Sequence, residues 1–328
     1  MSNIVKRTNL SPNLFESKYS FDYKLEYEFF HNFESPHTRK CYRVDLLQLF
    51  EFLSDNFFTV KSYTQIERVH VVAYRNWLTD NNMAPKTINR KLAAASSFFD
   101  FLIEKGTIQN NPCSSIKRPR QEVQNSTNDL SDQEIAKLLG LIDQLDGPGL
   151  LHKAVLYTLF TTGIRKAELI NLKIKNIVEK EDQHVIEIVA KGGKRLTKVL
   201  HPKCYEVIQE YLAYHATTNN EKLHPEDWVF RPSRNPLNPE HILKPLNPKS
   251  VDYIIKSWCK KADIHTRISP HSARASYIGS ALENGIDLYK ISKDVGHSSV
   301  KTTEEYNKRR QKLSESPVFG LGFLKKQS

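Results

Sequence analysis

A polar stretch at residues 107–130, TIQNNPCSSIKRPRQEVQNSTNDL, breaks a chain that is otherwise patterned mostly for helices. It contains Pro112 and Pro119, each of which fixes φ and removes a backbone donor, so a linker fits it better than a helix. The apolar residues on either side must then be buried separately, and 328 residues suffice for two domains with a core each. We expect a flexible N-terminal arm over residues 1–20, a helical domain over 21–112, a linker over 113–128 and a second domain over 129–328 that ends in a tail at 314–328.

In the first domain, PHTRKCYRVDLLQLFEFLSDNF sets Tyr42, Leu46, Leu49, Phe50 and Leu53 on one helical stripe, with Arg39, Lys40 and Arg43 elsewhere around it. APKTINRKLAAASSFFDFLIEKG repeats the pattern with Ile88, Leu92, Ala95, Phe99 and Leu102, leaving Lys86, Arg90 and Lys91 free near its start. Thr87 is the expected cap of its first turn and Gly106 the expected close of its last. The second domain opens on a capping box, Ser131 with Glu134, and continues into a buried helix at GLLHKAVLYTLFTTG. Two strand-like segments, HVIEIVA and KRLTKVL, flank Lys191-Gly192-Gly193-Lys194 as a hairpin; helices near 203–216 and 250–263 follow. The fold class is therefore mainly α with a small β-hairpin or sheet: a helical domain followed by a mixed α/β one.

The net charge of +11 favours a polyanionic partner, since lysines and arginines that neutralise phosphates release condensed counterions. Charge alone leaves DNA, RNA and acidic membrane surfaces open. No apolar run reaches the length of a membrane span, and MSNIVKRTNL lacks a signal peptide's apolar core, so we expect no membrane association and a cytoplasmic, nucleoid-associated protein. Cys41, Cys113, Cys204 and Cys259 are scattered with no C-x-x-C, the usage of reduced thiols without a zinc site.

Chemistry concentrates between Ser269 and Tyr306. His271 and Arg274, spaced H-x-x-R, share a helix face and can reach one anion. Gly296 and His297 follow, and Tyr306 stands nine residues after that histidine, in a short helix that Ser299 can cap. Two such helices packed together would point a phenol at a phosphate held by an arginine and a histidine.

This layout resembles the tyrosine recombinase (phage integrase) family, whose C-terminal motif is H-x-x-R, then G-H, then a tyrosine nucleophile. LFTTGIRKAELINL resembles the family's first arginine motif, giving Arg165 with Glu168; IVAKGGKRLTKVL resembles its hairpin with the catalytic lysine, best matched by Lys191. HTRKCYRVDLLQLFEFL and KTINRKLAAASSFFDFLIEKGTIQNNP resemble the core-binding domain of Xer-like members, so the likeness spans residues 37–306. Two positions depart from the pattern: Ala273 gives HSAR, as in Cre, where leucine is frequent, and Val295 precedes Gly296 where leucine is usual. Both are packing positions.

The resemblance implies a Xer- or Cre-like site-specific recombinase in which Tyr306 attacks a phosphate and forms a 3′-phosphotyrosine that conserves the bond energy, so no ATP is needed. It implies a phosphate clamp of Arg165 and Arg274, with Lys191 as general acid. Lys194 stands three residues away as a rival, and Lys191 is favoured only by its match to the family. His271 is the implied acceptor of the tyrosine proton, while His297 bonds the phosphate or buttresses Tyr306. Glu168 is an orienting partner, with a surface i,i+3 pair as the competing assignment. One acid among six basic or phenolic groups is unlike a two-metal site, so no metal or other cofactor is expected.

The implied partners are double-stranded DNA recombination sites, a homotetramer on two of them, and an accessory or partner recombinase. Arg39, Lys40, Arg43, Lys86, Arg90 and Lys91 are DNA-contact candidates, for each of which a solvated charged face is an equal alternative, and Lys117, Arg118 and Arg120 are further candidates that place positive charge between the domains. Two other functions stay open: a monomer like type IB topoisomerases, and a catalytically silent DNA-binding protein. The tail's Val318, Phe319, Leu321, Phe323 and Leu324 follow a polar hinge, an apolar patch that fits docking on a neighbour or folding back on its own domain.

Overall fold

A computed structural model of the chain describes residues 23–120, 127–189, 193, 195–232, 239–297, 299–310 and 318. Four sequence expectations fall outside these residues: the arm over 1–20, residues 121–126 of the linker, Lys191 and Lys194 of the hairpin turn, and the tail over 314–328 apart from Val318. The chain divides into two compact units, residues 1–124 and 125–328.

The first unit is built from α1 (Tyr23–His31), α2 (Pro36–Asn56), α3 (Arg68–Asp80) and α4 (Pro85–Glu104). Its core joins Leu46, Leu49, Phe50 and Leu53 of α2 to Val71, Tyr74 and Leu78 of α3 and to Ile88, Leu92, Phe98, Phe99 and Leu102 of α4. The stripes expected in α2 and α4 are thus the faces that pack. Thr87 is not the cap of α4: that helix starts at Pro85, after Ala84, with no side-chain cap, because proline's fixed φ is itself suited to the first helical position. Its far end closes with Thr107 N donating to Leu102 O at 2.9 Å and Gly106 N to Ile103 O at 2.8 Å. Residues 111–119 run back over this unit: Cys113 and Ile116 pack on its core, and Arg75 and Asn89 donate to the carbonyls of Lys117 and Pro119.

In the second unit the core surrounds α6 (Leu150–Thr162), buried on nearly every side. Around it lie α5 (Asp132–Ile142), α7 (Lys166–Ile170), α8 (Pro202–Asn219), α9 (Pro248–Lys261) and α10 (Pro270–Glu283); α11 (Leu288–Asp294) and α12 (Val300–Arg310) complete the unit. The Ser131 capping box forms as expected, Ser131 Oγ accepting from Glu134 N and Glu134 from Ser131 N. The expected hairpin is part of a three-stranded antiparallel sheet in the order β1 (Ile177–Lys180), β2 (Gln183–Val189), β3 (Arg195–Val199). Val185 pairs with Val199 and Val189 with Arg195, while β1, a strand not expected from the sequence, pairs Ile177 with Ile186.

Candidate active site

Three chain turns meet at the site. The first ends α6: Gly163 is left-handed at φ 57°, and a Cβ there would lie 2.6 Å from the Tyr277 ring, so only glycine fits. Two residues on, Arg165 caps α7, its N–H donating to Glu168 Oε2 at 2.9 Å and its Nη1 to Glu168 Oε1 at 2.8 Å. The Glu168 side chain is 7% exposed and that of Arg165 35%, so a covered carboxylate holds a guanidinium that stays open to solvent.

The second turn ends α11. His297 N donates to Ser292 O at 3.0 Å and Gly296 N to Lys293 O at 3.0 Å, a helix stop that needs Gly296 at φ 66°. A Cβ on Gly296 would meet Leu196 at 3.0 Å. The arginines fasten the two turns together. Arg165 Nη2 donates to Gly296 O at 3.1 Å, and Arg274, 2% exposed on α10, donates Nη1 to Gly163 O at 2.8 Å and Nη2 to Val295 O. Burial, and after it the charge of Arg165, pulls the Arg274 guanidinium down to about 10, which leaves it charged at neutral pH.

The third turn leads into α12, where Ser299 Oγ accepts from Lys301 N at 3.3 Å, the cap expected there. It returns α12 against α10 and α11, so that Tyr306 packs on Ala275, Ile278, Ile291 and Val295. The His297 and Tyr306 rings lie 11° from parallel with centroids 6.2 Å apart. His297 Nδ1 is 2.8 Å from the Oγ1 of buried Thr303, which fixes the ring plane. Burial, then Arg274 and Arg165, lower the His297 pKa to about 4, so the imidazole is neutral at pH 7. His271, exposed in the first turn of α10, lines a depression of about 300 Å³ with Arg165, Lys166, Asp252, Ser269, Pro270 and Arg274. Arg165, His271, Arg274, His297 and Tyr306 therefore gather in one place, with Glu168 beneath Arg165.

Several neighbours were not anticipated. Lys166 Nζ stands 2.9 Å from both Asp252 carboxylate oxygens at the rim. Behind the site, Lys198 and Tyr277 converge on Asp294. A strand pattern and a lone threonine carry no chemical spacing, so the sequence holds no signal for Lys198 or Thr303.

The DNA-contact candidates divide. Lys40, Lys86, Arg90, Lys117, Arg118 and Arg120 are exposed. Lys91 is not: it is buried, its Nζ 2.9 Å from Asp45 Oδ1, and Arg90 also binds that carboxylate. Lys91 was expected to stand clear near the start of α4; the fully covered Asp45 requires a counter-charge, and Lys91 supplies it. Arg39 donates to Phe33 O, and the Arg43 guanidinium lies 4.3 Å from the Phe30 ring centre. Among the described residues no cluster of three or more His, Cys, Asp or Glu could hold a metal ion, and no helix is long and apolar enough to cross a membrane.

Residues 128–312 match the phage integrase family, and residues 29–106 match the phage integrase N-terminal SAM-like domain. Tyrosine recombinase XerD of Listeria innocua is 28% identical over 276 residues, covering 83% of this chain and 88% of the relative. Tyrosine recombinase XerC of Staphylococcus carnosus is 26% identical over 292 residues, covering 88% and 90%. In fold, the chain is similar to XerH site-specific recombinase bound to a difH substrate, with TM-score 0.65, 18% identity and coverage of 86% of this chain and 80% of that one. A lambda integrase dimer bound to a core site gives TM-score 0.65 at 15% identity, covering 88% and 94%. With its catalytic-domain match spanning more than half of the sequence, the chain belongs to the phage integrase family, the tyrosine recombinases, enzymes that break and rejoin DNA.

Proposed function

We propose that this protein recombines two duplex DNA sites as a homotetramer in the cytoplasm, through a 3′-phosphotyrosine at Tyr306, with no metal ion and no ATP. The phenolic oxygen of Tyr306 forms a bond to the scissile phosphorus as the bond from phosphorus to the 5′-oxygen breaks. The phenol proton passes to His271, and the 5′-oxygen takes a proton from Lys191. Reversal of these transfers by a 5′-hydroxyl of the partner strand rejoins the DNA. A phenol suits the return step, because its pKa of about 10 makes it a better leaving group than an alkoxide. Arg165 and Arg274 clamp the non-bridging oxygens, and His297, neutral at pH 7, donates to one of them. The cationic clamp supplies the charge stabilisation that metal ions give elsewhere.

One observation carries this reading: both arginines donate to the carbonyls of the turns at 163 and 295–296, and that framework sets His297 beside Tyr306. The names of the relatives, XerC and XerD recombinases, support the same substrate class and leave room for a partner recombinase.

A nicked suicide substrate tests the reading. It should trap a covalent adduct on Tyr306, also in EDTA, and Tyr306→Phe should bind DNA and form none. An adduct on another residue, or one that requires magnesium, overturns it.

A further inference from the structure

Strand β3 alternates regularly between buried and exposed positions, but not between apolar and polar residues. Leu196 and Lys198 face the interior while Val199, 57% exposed, faces outward, so an ammonium occupies a register position that a core would fill with an apolar side chain. The side chain of Lys198 is 1% exposed. A charge so buried needs partners, and it has them: Nζ donates to Thr162 O at 2.6 Å and to Asp294 Oδ2 at 3.2 Å, and lies 5.6 Å from the centre of the Tyr277 ring. Tyr277 donates its own hydroxyl to the same Asp294 oxygen at 2.9 Å.

The placement of these partners gives the cluster its meaning. Thr162 lies three residues before Arg165, Asp294 three before His297, and Tyr277 three after Arg274. Tyr277 shares α10 with Arg274, while Thr162 and Asp294 end α6 and α11, whose C-terminal turns lead to Arg165 and His297; Lys198 reaches all three from β3. We infer that Lys198 is a positioning residue for strand cleavage: its buried ammonium, held between Thr162 O and the Asp294 carboxylate, sets the spacing of the turns that present Arg165, Arg274 and His297. Being covered, it does not touch DNA. An error of about 1 Å in the placement of reacting groups can cost on the order of 10²-fold in rate, so a tie of this kind governs chemistry more than binding.

The inference rests on the proposed cleavage at Tyr306, and the experiment separates the two. Single-turnover cleavage and DNA affinity are measured for the parent, Lys198→Met, Lys198→Arg, Asp294→Ala and the double variant Lys198→Met/Asp294→Ala, all well below their melting temperatures. Lys198→Met and Asp294→Ala should each slow cleavage at least about tenfold with affinity held within about threefold, and the double variant should be no slower than the slower single one. Lys198→Arg, which keeps a cation with donors for both acceptors, should recover most of the rate. In the DNA-free protein, the His297 ring resonances should move in Lys198→Met, a readout that needs no activity. Parental cleavage rates in the variants, multiplying losses in the double variant, or unchanged His297 resonances overturn the inference. If Lys198→Met does not fold, Asp294→Ala decides alone: slowed cleavage at parental affinity supports the tie, and a parental rate removes it. A parent that forms no Tyr306 adduct refutes the cleavage reading instead, and the His297 resonances still test the positioning.

Discussion

His297 is the residue whose behaviour follows most directly from its surroundings. Burial, then Arg274 and Arg165, hold its pKa at about 4, against 6.5 for an unperturbed imidazole. As pH falls from 6.5 towards 4, the unfolded chain takes up this proton before the folded one, so His297 contributes a loss of stability in that window and none above it. Melting temperature should therefore fall less steeply over that range in His297→Gln than in the parent. NMR of the free protein should show the ring titrating near pH 4, and bound DNA, whose phosphates offset the arginines, should raise that midpoint; a free-protein midpoint near 6.5 would contradict the assignment. The arginines separate by a second measurement. Arg165→Ala and Arg274→Ala should each lower single-turnover cleavage by about 10²-fold or more, with much smaller losses in binding. Arg274→Ala should also melt earlier, because Gly163 O and Val295 O lose a donor in a buried place. H-x-x-R, G-H and the tyrosine nine residues on were legible because phosphate chemistry needs those groups at fixed spacings on helices. Lys198 was not, since TKVL fits a strand with either face inward, and only the packed register shows that the lysine points to the core.

At the scale of elements, the apolar stripes of α2 and α4 and the Ser131 capping box were legible because a period near 3.6 and a short polar cap suit a helix and little else. Helices α8 and α9, expected near 203–216 and 250–263, begin on Pro202 and Pro248 in the first helical position, as α2, α4 and α10 begin on their own prolines. Strand β1 escaped because its connection to β2 is Glu181-Asp182, both at positive φ (49° and 58°), where Asn-Gly or Asp-Gly would have announced a hairpin. The lysines of α4 show why charge near a helix start does not by itself mark a phosphate contact. Lys86 is exposed, whereas Lys91 neutralises the covered Asp45. If Lys86 meets the backbone of DNA, Lys86→Ala should reduce the slope of log affinity against log salt by about one and leave stability unchanged. Lys91→Ala should leave that slope alone and destabilise the first unit, since it strips a partner from a buried carboxylate. A salt slope lowered by Lys91→Ala would return Lys91 to the DNA-contact set.

For the whole molecule, two separately cored units were foreseeable from a proline-bearing polar stretch in a chain of this length, and the family followed from the catalytic spacing. Assembly is a different matter, since an oligomer depends on complementary surfaces of other copies that one chain's pattern does not contain. The tail is the sequence feature that bears on it. Five apolar residues, Val318, Phe319, Leu321, Phe323 and Leu324, follow Pro317, and Val318, the one residue of the tail that the structure describes, is 49% exposed. A segment donated head to tail makes a heterologous contact, and such contacts can close into a ring. Tyr306 lies ten residues before Ser316, so a tail seated on a neighbouring copy would couple the presentation of the nucleophile to that neighbour. Tyr306 is at present packed among Ala275, Ile278, Ile291 and Val295, a position from which such coupling could draw or hold it. Deleting residues 316–328 should leave binding to a single site nearly intact, weaken cooperative assembly on paired sites and abolish strand exchange. If the shortened protein recombines two sites at the full-length rate, the tail does not join protomers, and a monomer that cuts and reseals one duplex becomes the better account of the same active site.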